Sequence, residues 1–319
     1  MKKYGPADAL SSPRFCGIGS FMRLPQIRTT DDVDVAILGI PFDTATTYRV
    51  GSRFAPGEIR NVSRLLRPFN PAQRIAIFDF CSAVDHGDID VVPGYIEKTY
   101  SRIVEGMLPL FDAGIVPIVM GGDHSITLGE LRAAGGKYGK LALLQFDSHC
   151  DVWGDYFGEK YNHGTMFRHA VEEGLISAEN SLQLGVRGPV YSSTDIDSAR
   201  ELGFEVITDR EMAAIGLDTL INRIRKRVKD HPVFLSFDID FVDPAYAPGT
   251  STPEVGGPTS RETLEIVRQL AGLNIIGFDL VEVIPHCDHG QITCLLAANL
   301  IYEFLSLVAI QIYKRIPRT

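Results

Sequence analysis

Asp147, His149 and Asp151 occupy alternate positions in Asp147-Ser148-His149-Cys150-Asp151. On an extended backbone such residues project to one side, with Ser148 and Cys150 on the other. Two carboxylates and an imidazole meeting at one point repel each other and pay for desolvation, and a divalent cation compensates both costs. Two further segments carry the same kinds of group: Gly121-Gly122-Asp123-His124-Ser125, whose glycines are expected to permit a sharp turn that presents His124, and Asp238-Ile239-Asp240. A single His-x-Asp pair is more often a hydrogen-bonded turn than a ligand set, but three such elements shift the balance toward metal. The four carboxylates Asp147, Asp151, Asp238 and Asp240 carry four negative charges. Two divalent ions neutralise them, and with His124 and His149 the six ligands suffice for two ions if two carboxylates bridge, leaving room for a shared hydroxide. Oxygen and imidazole donors without thiolate favour Mn²⁺, with Zn²⁺, Co²⁺ or Ni²⁺ as alternatives. Cys150 is read as packing.

Each of these segments follows an apolar run: residues 115–120 before His124, 141–145 before Asp147 and 233–237 before Asp238. Runs of this length are buried strands, so the polar residues fall at strand carboxyl ends, where α/β sheets place their chemistry. Further strands are expected at 33–40, 181–186, 204–207 and 275–281. Helical spacing marks 95–112, 193–202, 217–228 and 260–270, with another helix opening at Pro56. Thr259 followed by Glu262 is a capping box for the 260–270 helix. No repeat, low-complexity tract or linker interrupts the alternation. The expected architecture is an irregular lead over residues 1–30 and a single α/β domain over 31–319, with a mainly parallel sheet and helices on both faces.

Composition narrows the classes of function. The 319 residues are 45% hydrophobic and 22% charged, as in ordinary globular proteins, and the net charge of −9 argues mildly against a nucleic-acid partner. Five cysteines without a CxxC pattern fit reduced thiols and a cytoplasmic location. The apolar segment 294–313 contains Asn299, Glu303 and Gln311 and suits a core helix, so no membrane partner is expected.

Taken together, GGDHS at 121–125, DSHCD at 147–151, HGTMF at 163–167 and SFDIDFVDPAYAPGTSTPE at 236–254 resemble the ureohydrolase family, which includes arginase. The similarity is closest to its agmatinase branch, with agmatinase, guanidinobutyrase and proclavaminate amidino hydrolase. The resemblance implies an arginase-like three-layer α/β/α fold with about eight parallel strands, homo-oligomers (trimers or hexamers) and two Mn²⁺ per chain. It implies one ion among His124, Asp147, Asp151 and Asp238 and another among His149, Asp147, Asp238 and Asp240. His163 matches the family's proton-shuttling histidine, and Glu282 the glutamate that hydrogen-bonds the substrate guanidinium. Guanidinium is a poor electrophile, so its hydrolysis needs hydroxide at neutral pH and a proton for the departing amine.

The sequence departs from the family pattern in the loop Asp43-Thr44-Ala45-Thr46-Thr47-Tyr48-Arg49-Val50-Gly51, where two glycines and a proline are replaced. That loop bears on the substrate tail. The expected reaction is hydrolysis of agmatine to urea and putrescine, a step of polyamine metabolism, because Asp43, Asp155, Glu159 and Glu254 make the nearby loops acidic. The alternative is a guanidino acid such as 4-guanidinobutyrate or 3-guanidinopropionate, whose carboxylate would need Arg49, Arg168 or His289. A catalytically silent binding subunit and a deacetylase are disfavoured by the complete six-ligand set.

Overall fold

The computed structural model describes residues 3–315. Its main sheet contains β1 (Val35–Ile40), β2 (Ala83–Asp88), β3 (Val116–Gly121), β4 (Ala142–Phe146), β5 (Leu182–Val186), β6 (Glu205–Thr208), β7 (Val233–Asp238) and β8 (Ile275–Val281). Their spatial order is β2-β1-β3-β8-β7-β4-β5-β6, and every pairing is parallel. A parallel sheet covered on both faces needs apolar residues at successive positions. β1 shows this directly: Val35 and Ile37 enter one core, and Ala36, Leu38 and Ile40 enter the other.

Helices Ala55–Ser63, Leu217–Val228 and Ser260–Arg268 cover the first face together with Ile292–Arg315, and Ile96–Asp112 and Ile126–Tyr138 cover the second. This is the expected three-layer arrangement. Thr259 and Glu262 form the capping box that opens Ser260–Arg268. Ile292–Arg315 is long and apolar enough to cross a membrane, but 83% of its apolar window is buried inside the molecule, which makes it a core helix. The lead also reaches that core, through buried Phe21, Met22 and Leu24.

Several elements were not expected from the sequence, among them β2 and helix Ile126–Tyr138. β2 reads Ala-Val-Asp-His-Gly-Asp and has no apolar run, because it is an edge strand whose acids serve another element. The Arg60 guanidinium grips Asp85 through two hydrogen bonds, of 2.8 and 3.0 Å, and reaches Asp88 at 2.6 Å. Ile126–Tyr138 contains Gly129, Gly135 and Gly136, poor helix formers. Packing selects one of them: a Cβ at Gly129 would lie 3.0 Å from the Ile103 side chain of the neighbouring helix.

Candidate metal centre and active site

The sheet brings β3, β8, β7 and β4 side by side, so the segments after them share one edge. After β3 the chain passes Gly122, where any Cβ would overlap the Phe42 backbone, and close approach rather than a positive φ is what requires glycine there. The Gly122 carbonyl accepts the Glu282 amide at 2.9 Å, which ties the end of β3 to the end of β8.

After β4 the chain does not remain extended. It bends at Ser148 and His149, and Asp151 takes a left-handed φ of 52°. The convergence of Asp147, His149 and Asp151 therefore comes from this bend and not from strand alternation. Ser148 is consequently not turned away from the acids: its amide and hydroxyl both donate to Asp240 Oδ1, at 3.0 and 2.8 Å. Cys150 stands in the wall of the adjoining cavity, its thiol pushed up to about 12, chiefly by burial. After β7, Asp238 caps a short turn by accepting the Asp240 amide at 2.8 Å.

Two donor groups result. His124 Nδ1 lies 3.1 Å from Asp147 Oδ2, 3.1 Å from Asp151 Oδ2 and 3.3 Å from Asp238 Oδ2. His149 Nδ1 lies 3.1 Å from Asp240 Oδ2 and 3.4 Å from Asp147 Oδ1. Asp147 turns one oxygen to each group. Asp238 turns Oδ2 to His124, and its Oδ1 accepts the Asp240 amide.

The fit to metal ions can be tested on the protein alone. His124 Nδ1 is fully buried, stands beside three carboxylate oxygens and has a hydrogen-bond geometry to none of them. His124, Asp147 and Asp151 bring donor atoms within 4.8 Å of one another, with Asp238 Oδ2 also beside His124, and an unsatisfied nitrogen among such oxygens is what a cation site requires. Without a cation, protons must take its place. Burial and the neighbouring acids push Asp238 far up and Asp151 up to about 6. The imidazoles rise well above their ordinary value because the acids around them outweigh desolvation. Asp147 alone is held far below the carboxylate range: burial opposes this, but the neighbouring His124 and His149 imidazoles prevail. The donor set fits two divalent ions.

Glu282 stands at the end of β8 in a left-handed conformation, φ 64°, which is strained for a residue with a side chain. Its Oε1 accepts the His124 amide at 2.9 Å and meets His163 Nδ1 at 2.9 Å. Its Oε2 is buried and has no hydrogen-bond partner among the described residues. Desolvation pulls the His163 imidazole down, but the Glu282 carboxylate more than offsets it, leaving the pKa above the ordinary histidine value.

A cavity of about 560 Å³ opens beside these groups, lined by Thr47, His149, Asp151, His163, Arg187 and Glu254 together with the aromatic rings of Trp153, Tyr156 and Tyr191. Arg49, Arg168 and His289 are not in its wall. Arg49 lies over the Tyr48 ring, Arg168 donates to the Val152 carbonyl at 2.6 Å, and His289 is exposed. Of the acids, Asp43 instead closes its own loop, accepting the Gly51 amide at 2.8 Å and pairing with Arg53, while Asp155 and Glu159 are exposed outside the cavity. Glu254 is the one expected tail acid that lines it.

The profile of the arginase family matches residues 33–306. The chain belongs to that family. Among arginase-family proteins, it is 43% identical over 310 residues to guanidinobutyrase of Pseudomonas aeruginosa, covering 94% of this chain and 95% of the relative. Guanidinopropionase of the same organism is 42% identical over 305 residues, covering 95% and 96%. The crystal structure of a hypothetical agmatinase from Burkholderia thailandensis superposes with a TM-score of 0.88 at 38% identity, covering 97% of this chain and 95% of that one. Both donor groups, His163 and Glu282 lie within the arginase-family span. Further residues of the site were not singled out from the sequence, among them Thr47, Ser148, Arg187 and the rings of Trp153, Tyr156 and Tyr191. Only Arg187 carried a signal, as the first charged residue after a strand.

Proposed function

We propose that this chain is a binuclear-metal amidinohydrolase that releases urea from a guanidino compound, with agmatine as the preferred substrate. The observation that carries the reading is the pair of donor groups sharing Asp147, set beside a Glu282 carboxylate with a free buried oxygen. In this reading His124, Asp147, Asp151 and Asp238 hold one ion, and His149, Asp147 and Asp240 the other, with Asp238 completing the second. Two ions, Mn²⁺ by the oxygen-rich donor set, supply Lewis acidity and make water nucleophilic at neutral pH.

The protein's own residues do the rest. Glu282 Oε2 accepts a guanidinium N–H, a charge-assisted bond that orients the carbon toward the ions. His163, held by the other oxygen of Glu282, delivers a proton to the departing amine. Burial of both residues keeps competing water away from these contacts.

Agmatine is preferred because the unpaired charge in the cavity wall is negative. The Glu254 carboxylate has neither an ion pair nor a hydrogen bond among the described residues, and the Trp153, Tyr156 and Tyr191 rings suit a cationic tail. Arg187 favours a second reading, a guanidino acid, as do the names of the two relatives. Its guanidinium, however, already donates to the Gly185, Asp240 and Glu254 carbonyls. Urea release from agmatine, 4-guanidinobutyrate, 3-guanidinopropionate and arginine decides the matter. The expected order puts kcat/KM for agmatine first, and a higher value for either guanidino acid that disappears in Arg187→Ala replaces it with the second reading. Homo-oligomerisation and a cytoplasmic location belong to the same proposal.

A further inference from the structure

His163 has two ring nitrogens, and only one of them faces Glu282. The other, Nε2, lies 3.1 Å from the Thr47 amide and 2.8 Å from the Thr47 hydroxyl. An amide can only donate, so Nε2 must carry a lone pair in this arrangement, and the ring proton is on Nδ1, directed at Glu282. The Thr47 loop is fastened to the ring's surroundings at two more points. The Ala45 carbonyl accepts the His163 amide at 3.1 Å, and the Ala45 amide donates to Asp123 Oδ2 at 2.9 Å. His163 is only 8% exposed, and it lines the cavity together with Thr47. A proton exchanged at Nε2 therefore has the Thr47 hydroxyl, 2.8 Å away, as its hydrogen-bonded neighbour.

We infer that Thr47 is a positioning residue for His163: its amide fixes the ring tautomer, and its hydroxyl carries the proton exchanged between Nε2 and the cavity. The inference rests on the shuttle role given to His163 above. In the loading direction the Thr47 O–H bond breaks as the Nε2–H bond forms, and the hydroxyl regains a proton from a water-borne acid in the cavity. Discharge runs the same two transfers backwards, so Thr47 is unchanged after each. The loop in which two glycines and a proline of the family pattern are replaced thus acts on the proton path as well as on the substrate tail.

The test compares Thr47→Val, which keeps the shape and the amide but loses the hydroxyl, with Thr47→Ser, which restores the hydroxyl. In metal-loaded enzyme, with the best substrate of the panel, Thr47→Val should lower kcat by about 10- to 100-fold with KM within about twofold. Metal content should be unchanged, added imidazole should restore part of kcat, and Thr47→Ser should stay within about twofold of wild type. Wild-type kcat in Thr47→Val, a loss expressed in KM, or an equal loss in Thr47→Ser overturns the relay. Should valine perturb folding, Thr47→Ala takes its place with the same criteria. A readout without substrate separates this from the function proposal. Ring ¹⁵N spectra of the zinc-loaded protein at about pH 9, assigned with His163→Gln, should show Nδ1 protonated and Nε2 bare. The opposite tautomer overturns the inference even if urea is released, and absence of urea release from every guanidino compound overturns the function while the spectra still decide on Thr47.

Discussion

Asp147 is shared by both donor groups, one oxygen 3.1 Å from His124 and the other 3.4 Å from His149. If the two groups hold ions as proposed, replacing it with alanine withdraws a ligand from each and leaves their mutual repulsion less screened. Elemental analysis should find about two divalent ions per wild-type chain and well under one in Asp147→Ala. Asp240→Ala, by contrast, removes a carboxylate that belongs to the His149 group and not to the His124 group, and should retain the ion proposed beside His124. His163 is distinguished from the ligands by its position, since it touches Glu282 and Thr47 and no donor of either group. His163→Ala should therefore lower kcat by about 10² to 10⁴-fold with metal content preserved; a parallel loss of metal would make it a ligand.

At the scale of elements, the site depends on how closely β3 and the loop after β1 approach each other. Gly122 lies against the Phe42 backbone, and the Asp123 amide donates to the Phe42 carbonyl at 2.8 Å. Backbone cannot move aside as the end of a side chain can. Gly122→Ala should push His124 and Asp123 away from their partners, destabilising the fold by about 1–3 kcal/mol and lowering metal content. Thermal unfolding and elemental analysis check this together, and an unchanged melting temperature would show that the loop yields. The Arg60 fork onto Asp85 and Asp88 plays the corresponding role at the sheet edge, holding helix Ala55–Ser63 to β2. Removing Arg60 leaves a buried carboxylate unpaired, which is why this edge tolerates so polar a strand.

For the whole molecule, the donor cluster makes stability depend on metal and pH together. Asp151, up at about 6, and Asp238, far above its ordinary value, hold protons in the metal-free fold that their unfolded forms release near 4. The stability they contribute is full below the unfolded pKa and is lost as pH rises through the folded pKa. Asp147 has the opposite sign, but its window lies at and below the carboxylate range. Metal ions displace the same protons, so metal-loaded protein escapes this loss. The gap in melting temperature between loaded and chelated protein should widen from pH 5 to pH 8, as differential scanning calorimetry would record. A constant gap would show that protons and metals do not compete for these groups.

Periodicity determined seven of the eight strands, because a parallel sheet buried on both faces leaves an unbroken apolar run in the chain. The same runs located His124, Asp147 and Asp238 at strand ends, and the motif resemblance gave the family and drew attention to His163 and Glu282. Other features existed only after folding. β2 was invisible because its acids are satisfied by Arg60, 25 positions away. The bend at Asp151, the contact of Ser148 with Asp240 and the hold of Thr47 on His163 join residues from different loops, and no local spacing encodes such contacts. Arg49, Arg168 and His289 were chosen for charge and closeness along the chain, yet the structure turns each of them elsewhere and brings Arg187 and Glu254 to the cavity. Charge along a sequence states which groups are available; which of them face a ligand is decided by the directions in which the folded loops point, and those directions are fixed by contacts between segments far apart in the chain.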